Sequence, residues 1–250
     1  PLESVEGCDA FGRRFGHTLT SAPMATIIVL QDGAHLGPGR LGVTLRDHGF
    51  KIRYCRIDRD GADALPADLD NVHGLVVLGS PKPPTADEPW IDRTLDLIRQ
   101  AHEIDMPVIG LCMGHQLVAR ALGGEVEKLP EMSVGFEPVE LTVPGQTETL
   151  LAGIPWSTPM FQSHAYHVSK PPEGAIVLAK SQTTPVECFK AGIRTYGFQY
   201  HFEFDRPGIT RHFSILKKTT GVDSMTLDDL EAQLDQHYAR FARASDRLCV

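Results

Sequence analysis

Residues 110–116 read Gly110-Leu111-Cys112-Met113-Gly114-His115-Gln116, directly after the apolar run Pro107-Val108-Ile109 and directly before a helical segment closing at Gly123-Gly124. A short apolar run bounded by Pro and Gly is the pattern of a strand buried on both faces. A reactive side chain on a sharp strand-to-helix turn is held strained and exposed, and small residues must flank it because the backbone is crowded there. The helix that begins after Cys112 points its positive end at the sulfur, which favours the thiolate, the nucleophilic form. The N–H of Met113, at the same helix start, is placed to stabilise a tetrahedral oxyanion. A lone cysteine is more commonly a packing group. The flanking glycines and the strand–turn–helix setting turn the reading toward a nucleophile.

Upstream, strand and helix patterns alternate. Thr26 to Leu30 is a β-branched run, Gly39 to His48 carries Leu41 and Leu45 at helical spacing, and Lys51 to Ile57 and Gly74 to Leu78 are further strand candidates. Thr85 with Glu88 offers a capping box for a helix carrying Ile91, Leu95 and Ile98. Such alternation implies βαβ units and a parallel sheet. Downstream, Val134 to Val143, Ala175 to Lys180, Val186 to Lys190 and Arg194 to Tyr200 are short strand-like runs that predict antiparallel additions and a return to the main sheet. From Thr226, with Asp229 in the capping position, Leu227, Leu230, Leu234, Tyr238 and Phe241 mark one long amphipathic helix. The expected architecture is α/β: a mostly parallel central sheet flanked by helices, with a smaller antiparallel sheet. Residues 1–24 read as an extension ahead of the first strand, and residues 25–250 as a single domain.

A cysteine nucleophile needs a base, and the base needs an orienting group. Gly197-Phe198-Gln199-Tyr200-His201-Phe202-Glu203 supplies both, because alternate residues at a strand end share a side. His-x-Glu alone is weak in a chain with 11 histidines; paired with the cysteine turn it is far more specific. Gly-x-Cys-x-Gly-x-Gln followed far downstream by Gln199-Tyr200-His201-x-Glu203 resembles the class I glutamine amidotransferases, from about residue 25 to about residue 205. The likeness is nearest to the glutaminase domain of GMP synthases and their stand-alone relatives. It implies a flavodoxin-like core, Cys112 as nucleophile, His201 as base, Glu203 as its partner, and L-glutamine as substrate. It also implies that Gly114, Gln116, Ser163 and His164 help hold the substrate, and that Gly79 and Ser80 join Met113 as oxyanion donors. The family's Gly-Gly-Pro loop reads Gly79-Ser80-Pro81 here, and a backbone donor survives that change where the turn does not demand positive φ. Ser163-His164-Ala165-Tyr166 lacks the acid of the family's Ser-His-x-Asp, which weakens an assignment to GMP synthesis.

Bulk properties narrow the alternatives. A formal net charge of −8 argues against nucleic acid as a partner. No apolar run reaches the roughly 20 residues that span a bilayer. The five cysteines are scattered without a CxxC pair, which reads as cytosolic thiols and a cytoplasmic protein. His115, His164 and His167 show no ligand-like grouping with cysteines or acids, so neither metal nor other cofactor is expected. Neither a P-loop nor an ATP-pyrophosphatase signature occurs, so ammonia would pass to a separate synthetase subunit. Two rival readings stand beside glutamine hydrolysis: a γ-glutamyl peptide hydrolase with the same triad, and a catalytically quiet regulatory protein.

Overall fold

The computed structural model describes residues 24–220 and 225–250. The predicted N-terminal extension lies, apart from Met24, outside the described residues, as does Cys8. The elements run β1 (Thr26–Gln31), α1 (Gly39–Asp47), β2 (Lys51–Arg56), α2 (Ile57–Asp60), β3 (Gly74–Val77), α3 (Pro89–Glu103), β4 (Val108–Leu111) and α4 (Met113–Ala121). There follow β5 (Glu125–Leu141), α5 (Val143–Thr147), β6 (Ser157–Lys170), β7 (Ile176–Lys180), β8 (Cys188–Ala191), β9 (Thr195–Phe198), α6 (Arg206–Thr220) and α7 (Leu227–Cys249).

All nine strands join one sheet in the order β2-β1-β3-β4-β9-β8-β7-β5-β6. From β2 to β9 every pairing is parallel, and from β9 to β6 every pairing is antiparallel. The antiparallel strands therefore extend the parallel sheet edge to edge instead of forming a sheet of their own. β9 belongs to both halves, which is why the return from the antiparallel excursion ends beside β4 and its cysteine turn. Alternation along β1 shows how the sheet is covered. Ile27 and Val29 enter one core with Leu41 of α1, Phe213 of α6 and Leu234 and Phe241 of α7. Ile28 and Leu30 enter the other with Ile91 and Ile98 of α3 and Leu117 and Val118 of α4. Along β1, Ile27 to Leu30 bury their side chains against one helical layer and the other in turn, as the period of two requires.

Three local expectations are revised. The Thr85–Glu88 capping box does not form; α3 begins at Pro89, with Glu88 extended at φ −129° and ψ 124°. A residue before proline is pushed out of the helical region, and proline is pre-set for the first helical position. β5 begins nine residues ahead of Val134, its early half exposed and interrupted by a register shift between Lys128 and Ser133. β6 and α6 escaped the pattern reading. β6 carries seven consecutive buried residues, Thr158 to His164, of which four are polar. It packs against α7 and α4, so no alternation of polar and apolar marks it. Among the described residues no helix is long and apolar enough to cross a membrane.

Candidate active site

The C-terminal ends of four parallel strands meet at one place: Asp32 follows β1, Gly79 follows β3, Cys112 follows β4, and His201 lies three residues beyond β9. That edge is where open α/β sheets take ligands. A cavity of about 250 Å³ opens there, lined by Cys112, His201, Met113, Gly79, Ser80, Gln116, Ser163 and His164 among others. Every residue assigned above to the catalytic, oxyanion or substrate-holding set, Glu203 and Gly114 excepted, borders this cavity.

Cys112 is the N-cap of α4 and has φ 53° and ψ −109°. Its N–H donates to Phe198 O at 2.8 Å, tying the turn to β9. The neighbouring glycines are sterically required. A Cβ on Gly114 would stand 1.9 Å from Val77 O, and one on Gly110 would stand 2.4 Å from Gly114 O. Gly114 thus serves close packing of α4 against β3. Gly79 lies against both reactive side chains: a Cβ there would be 3.3 Å from His201 Cε1 and 3.9 Å from Cys112 Sγ. As a thiol, Cys112 donates to Ser163 O at 3.6 Å, a long and weak bond.

Glu203 lies behind His201, and both are buried. Glu203 Oε1 accepts from His201 Nδ1 at 2.7 Å, which leaves Nε2 buried without a hydrogen-bond partner. Phe204 stacks on the imidazole with ring centroids 4.7 Å apart and planes 3° apart, and Phe161 O holds the His201 N–H at 3.0 Å. Burial alone would lower the His201 pKa; the charges on Glu203 and Cys112 overrule it and raise it to about 10. The shift favours the imidazolium, an acid ready to donate.

The residues expected to hold substrate divide into two groups. Gln116 Nε2 is committed to Tyr166 O at 2.6 Å and Gln199 Oε1 at 3.1 Å, so it braces the β6 backbone beneath the cavity. His164 is equally engaged, with Nδ1 3.0 Å from Tyr166 O and Nε2 3.2 Å from the Gln162 amide, which in turn meets Glu187 at 3.1 Å. Burial, together with the nearby His201, lowers the His164 pKa to about 3, so its ring is neutral; burial also raises Glu187 to about 7. A neutral His164 donating to Tyr166 O needs a donor at Nε2. Turning the Gln162 amide supplies it, and a protonated Glu187 then donates to the amide oxygen. Ser163 faces another histidine: its Oγ is 2.8 Å from His212 Nε2, on α6. His212 borders the cavity, stacks on His35, and is held neutral by burial, its pKa lowered to about 3. Sequence reasoning missed it because α6 has no strong periodic pattern and His212 lies in no motif. Among the described residues no group of three or more His, Cys, Asp or Glu side chains is arranged to hold a metal.

The fold and this site match known proteins. The glutamine amidotransferase class-I family model matches residues 41–211. The glutamine amidotransferase-like protein YfeJ of Salmonella typhimurium is 36% identical over 165 residues, which cover 63% of this chain and 67% of that protein. The glutamine-hydrolysing GMP synthase subunit of Archaeoglobus fulgidus is 34% identical over 162 residues, covering 64% of this chain and 79% of that one. Gamma-glutamyl peptidase 3 of Arabidopsis thaliana is 28% identical over 143 residues, covering 56% and 57%. With a matching model over more than half its length, a mixed sheet of this topology and a cysteine turn at the strand ends, the chain belongs to the class I glutamine amidotransferase family.

Proposed function

We propose that the chain hydrolyses the side-chain amide of L-glutamine through a thioester on Cys112, with His201 as acid and base and Glu203 as its orienting partner. The observation that carries this reading is the imidazole of His201, fixed by Glu203 at 2.7 Å on Nδ1 and placed, like Cys112 of the cysteine turn, against Gly79. The Cys112 thiolate attacks the amide carbon, forming a C–S bond, while the carbonyl oxygen takes the negative charge. In this reading the N–H groups of Met113 and of Gly79 or Ser80 hold that oxygen. His201 gives its Nε2 proton to the nitrogen, the C–N bond breaks, and ammonia leaves. Neutral His201 then takes a proton from water as the oxygen adds to the thioester. The C–S bond breaks, glutamate departs, and the thiolate–imidazolium pair returns. Glu203 keeps the ring oriented in both halves, and ammonia is released to an acceptor or a synthetase partner.

A second reading replaces free glutamine by a γ-glutamyl peptide. It is supported by the cavity wall of Met132, Ile215 and Leu216, which offers an apolar seat beyond the catalytic end, and by Tyr166 where the family's acid would stand. The test is glutamate release from L-glutamine and, in parallel, from γ-glutamyl dipeptides, with Cys112→Ala as control. Turnover on glutamine that vanishes in the variant supports the first reading, and turnover confined to dipeptides the second. A chain that neither turns over nor is labelled at Cys112 by a glutamine-like chloroketone would be the regulatory protein instead.

A further inference from the structure

The loop leaving β3 reads Gly79-Ser80-Pro81-Lys82-Pro83-Pro84, and three of its residues lack an N–H to anchor it. Side chains do the anchoring. Ser80 Oγ donates to Asp32 Oδ2 at 2.6 Å and accepts from the Lys82 N–H at 3.0 Å. Lys82 Nζ pairs with Glu88 at 2.9 Å, and Pro84 O accepts from Arg120 of α4, the helix that starts at Cys112. Asp32 is itself buried, at the end of β1, whose Leu30 O accepts from Leu78 N–H at 3.1 Å just ahead of the loop. An O–H···O⁻ bond of this length is charge-assisted and about twice as strong as a neutral one. It acts one residue from Gly79, where a Cβ would stand 3.3 Å from His201 Cε1 and 3.6 Å from Cys112 Cβ. Donors to an oxyanion must be held within about half an ångström of their productive position.

We propose that Asp32 is a positioning residue: through the Ser80 hydroxyl it orients the Gly79–Ser80 backbone as the second oxyanion donor. The inference rests on the cysteine-hydrolase reading above. Its test uses the whole chain with Asp32→Ala, Ser80→Ala, the double variant, and Ser80→Thr, which keeps the hydroxyl. Kinetics on the better of glutamine and γ-glutamyl dipeptide are measured beside Cys112 alkylation by iodoacetamide, which forms no oxyanion. Each alanine variant is expected to lower kcat about tenfold or more with KM within about twofold, less than the 10²–10³ for deleting an oxyanion donor outright. The double variant should be no worse than the poorer single, because the two side chains act as one unit. Ser80→Thr should restore most of the rate, and iodoacetamide should react at the wild-type rate throughout. If the chain turns over only with a partner, the same comparison is read from the chloroketone labelling rate. Unchanged kcat in both alanine variants, multiplicative losses in the double, or alkylation falling in step with kcat would each overturn the inference. A wild-type chain silent to every substrate and to the chloroketone removes the hydrolase reading first, and the inference with it.

Discussion

Cys112 stands in a backbone region that L-residues avoid, at φ 53° and ψ −109°, because Cβ there crowds the neighbouring peptide. Such a residue costs about 1–3 kcal/mol, and the surrounding turn must over-determine it. Here the Cys112 N–H bond to Phe198 and the Gly114 backbone packed on Val77 do so. In an ordinary helical or extended position glycine is less stable than alanine by about 0.5–1 kcal/mol. At residue 112 the order should invert: Cys112→Gly is expected to unfold in urea at higher stability than Cys112→Ala, by about 1 kcal/mol. Alanine equal to or above glycine would mean that the turn carries no strain. The cysteine turn itself was legible because its requirements are local: an apolar run, small neighbours and a helix start within seven residues. Gln116 shows the limit. Its commitment to Tyr166 O and Gln199 Oε1 depends on residues 50 and 83 positions away.

Two capping boxes were readable, and one forms. Thr226 accepts from the Asp229 N–H at 3.0 Å while Asp229 Oδ2 accepts from the Thr226 N–H at 2.8 Å, so α7 starts where its side chains prescribe. Thr85 and Glu88 have the same spacing, yet Pro89 moves the start of α3 past them and Glu88 pairs with Lys82 instead. Thr226→Ala removes a cap from the helix whose Leu230, Leu234 and Phe241 cover one face of the sheet. The expected cost is about 1 kcal/mol in chemical unfolding with kcat unchanged, since neither Thr226 nor Asp229 lines the cavity. A change in kcat larger than the stability loss would instead tie α7 to the site. β6 and α6, which no periodicity disclosed, contribute Ser163, His164 and His212 to the cavity. Within its buried stretch, β6 meets partners from other elements at Gln162, which pairs with Glu187, and at Ser163, which meets His212.

The molecule as a whole encloses histidines that ionise with difficulty. His115, His164 and His212 all have their pKa lowered to about 3, with burial the largest cause in each. In the unfolded chain each protonates near 6.5, so below that pH the unfolded state binds more protons and stability falls as pH drops toward 3. Glu187 acts in the opposite sense: raised to about 7, it takes its proton first in the folded state, which favours folding as pH falls from 7 toward its unfolded value. His201, raised to about 10, adds stability that is complete below 6.5 and is lost as pH climbs from there through 10. Three protons against one make the acid side the weaker. Stability measured in urea should decline from pH 6.5 to pH 5 by about 1.4 kcal/mol per pH unit for each net proton. His212→Gln, which removes one of the three, should flatten that slope. A flat profile over this range would show that these rings are charged in the folded state.

The sequence by itself determined the alternating α/β order, the apolar parallel strands, the cysteine turn before α4, the family resemblance and the start of α7. All but the resemblance, which joins two distant motifs, depend on residues within a helical turn or a strand length of one another, where propensity, period and sterics act directly. Only the tertiary structure decided that the antiparallel strands continue the parallel sheet, and that Phe204 stacks on His201 while His212 meets Ser163. It alone brought Asp32 to Ser80. The reason is physical: the two polar contacts join residues 48 and 49 positions apart, Asp32–Ser80 and Ser163–His212. Such contacts form only once separate elements of the fold have packed together. No local preference of a buried serine, histidine or aspartate names its distant partner.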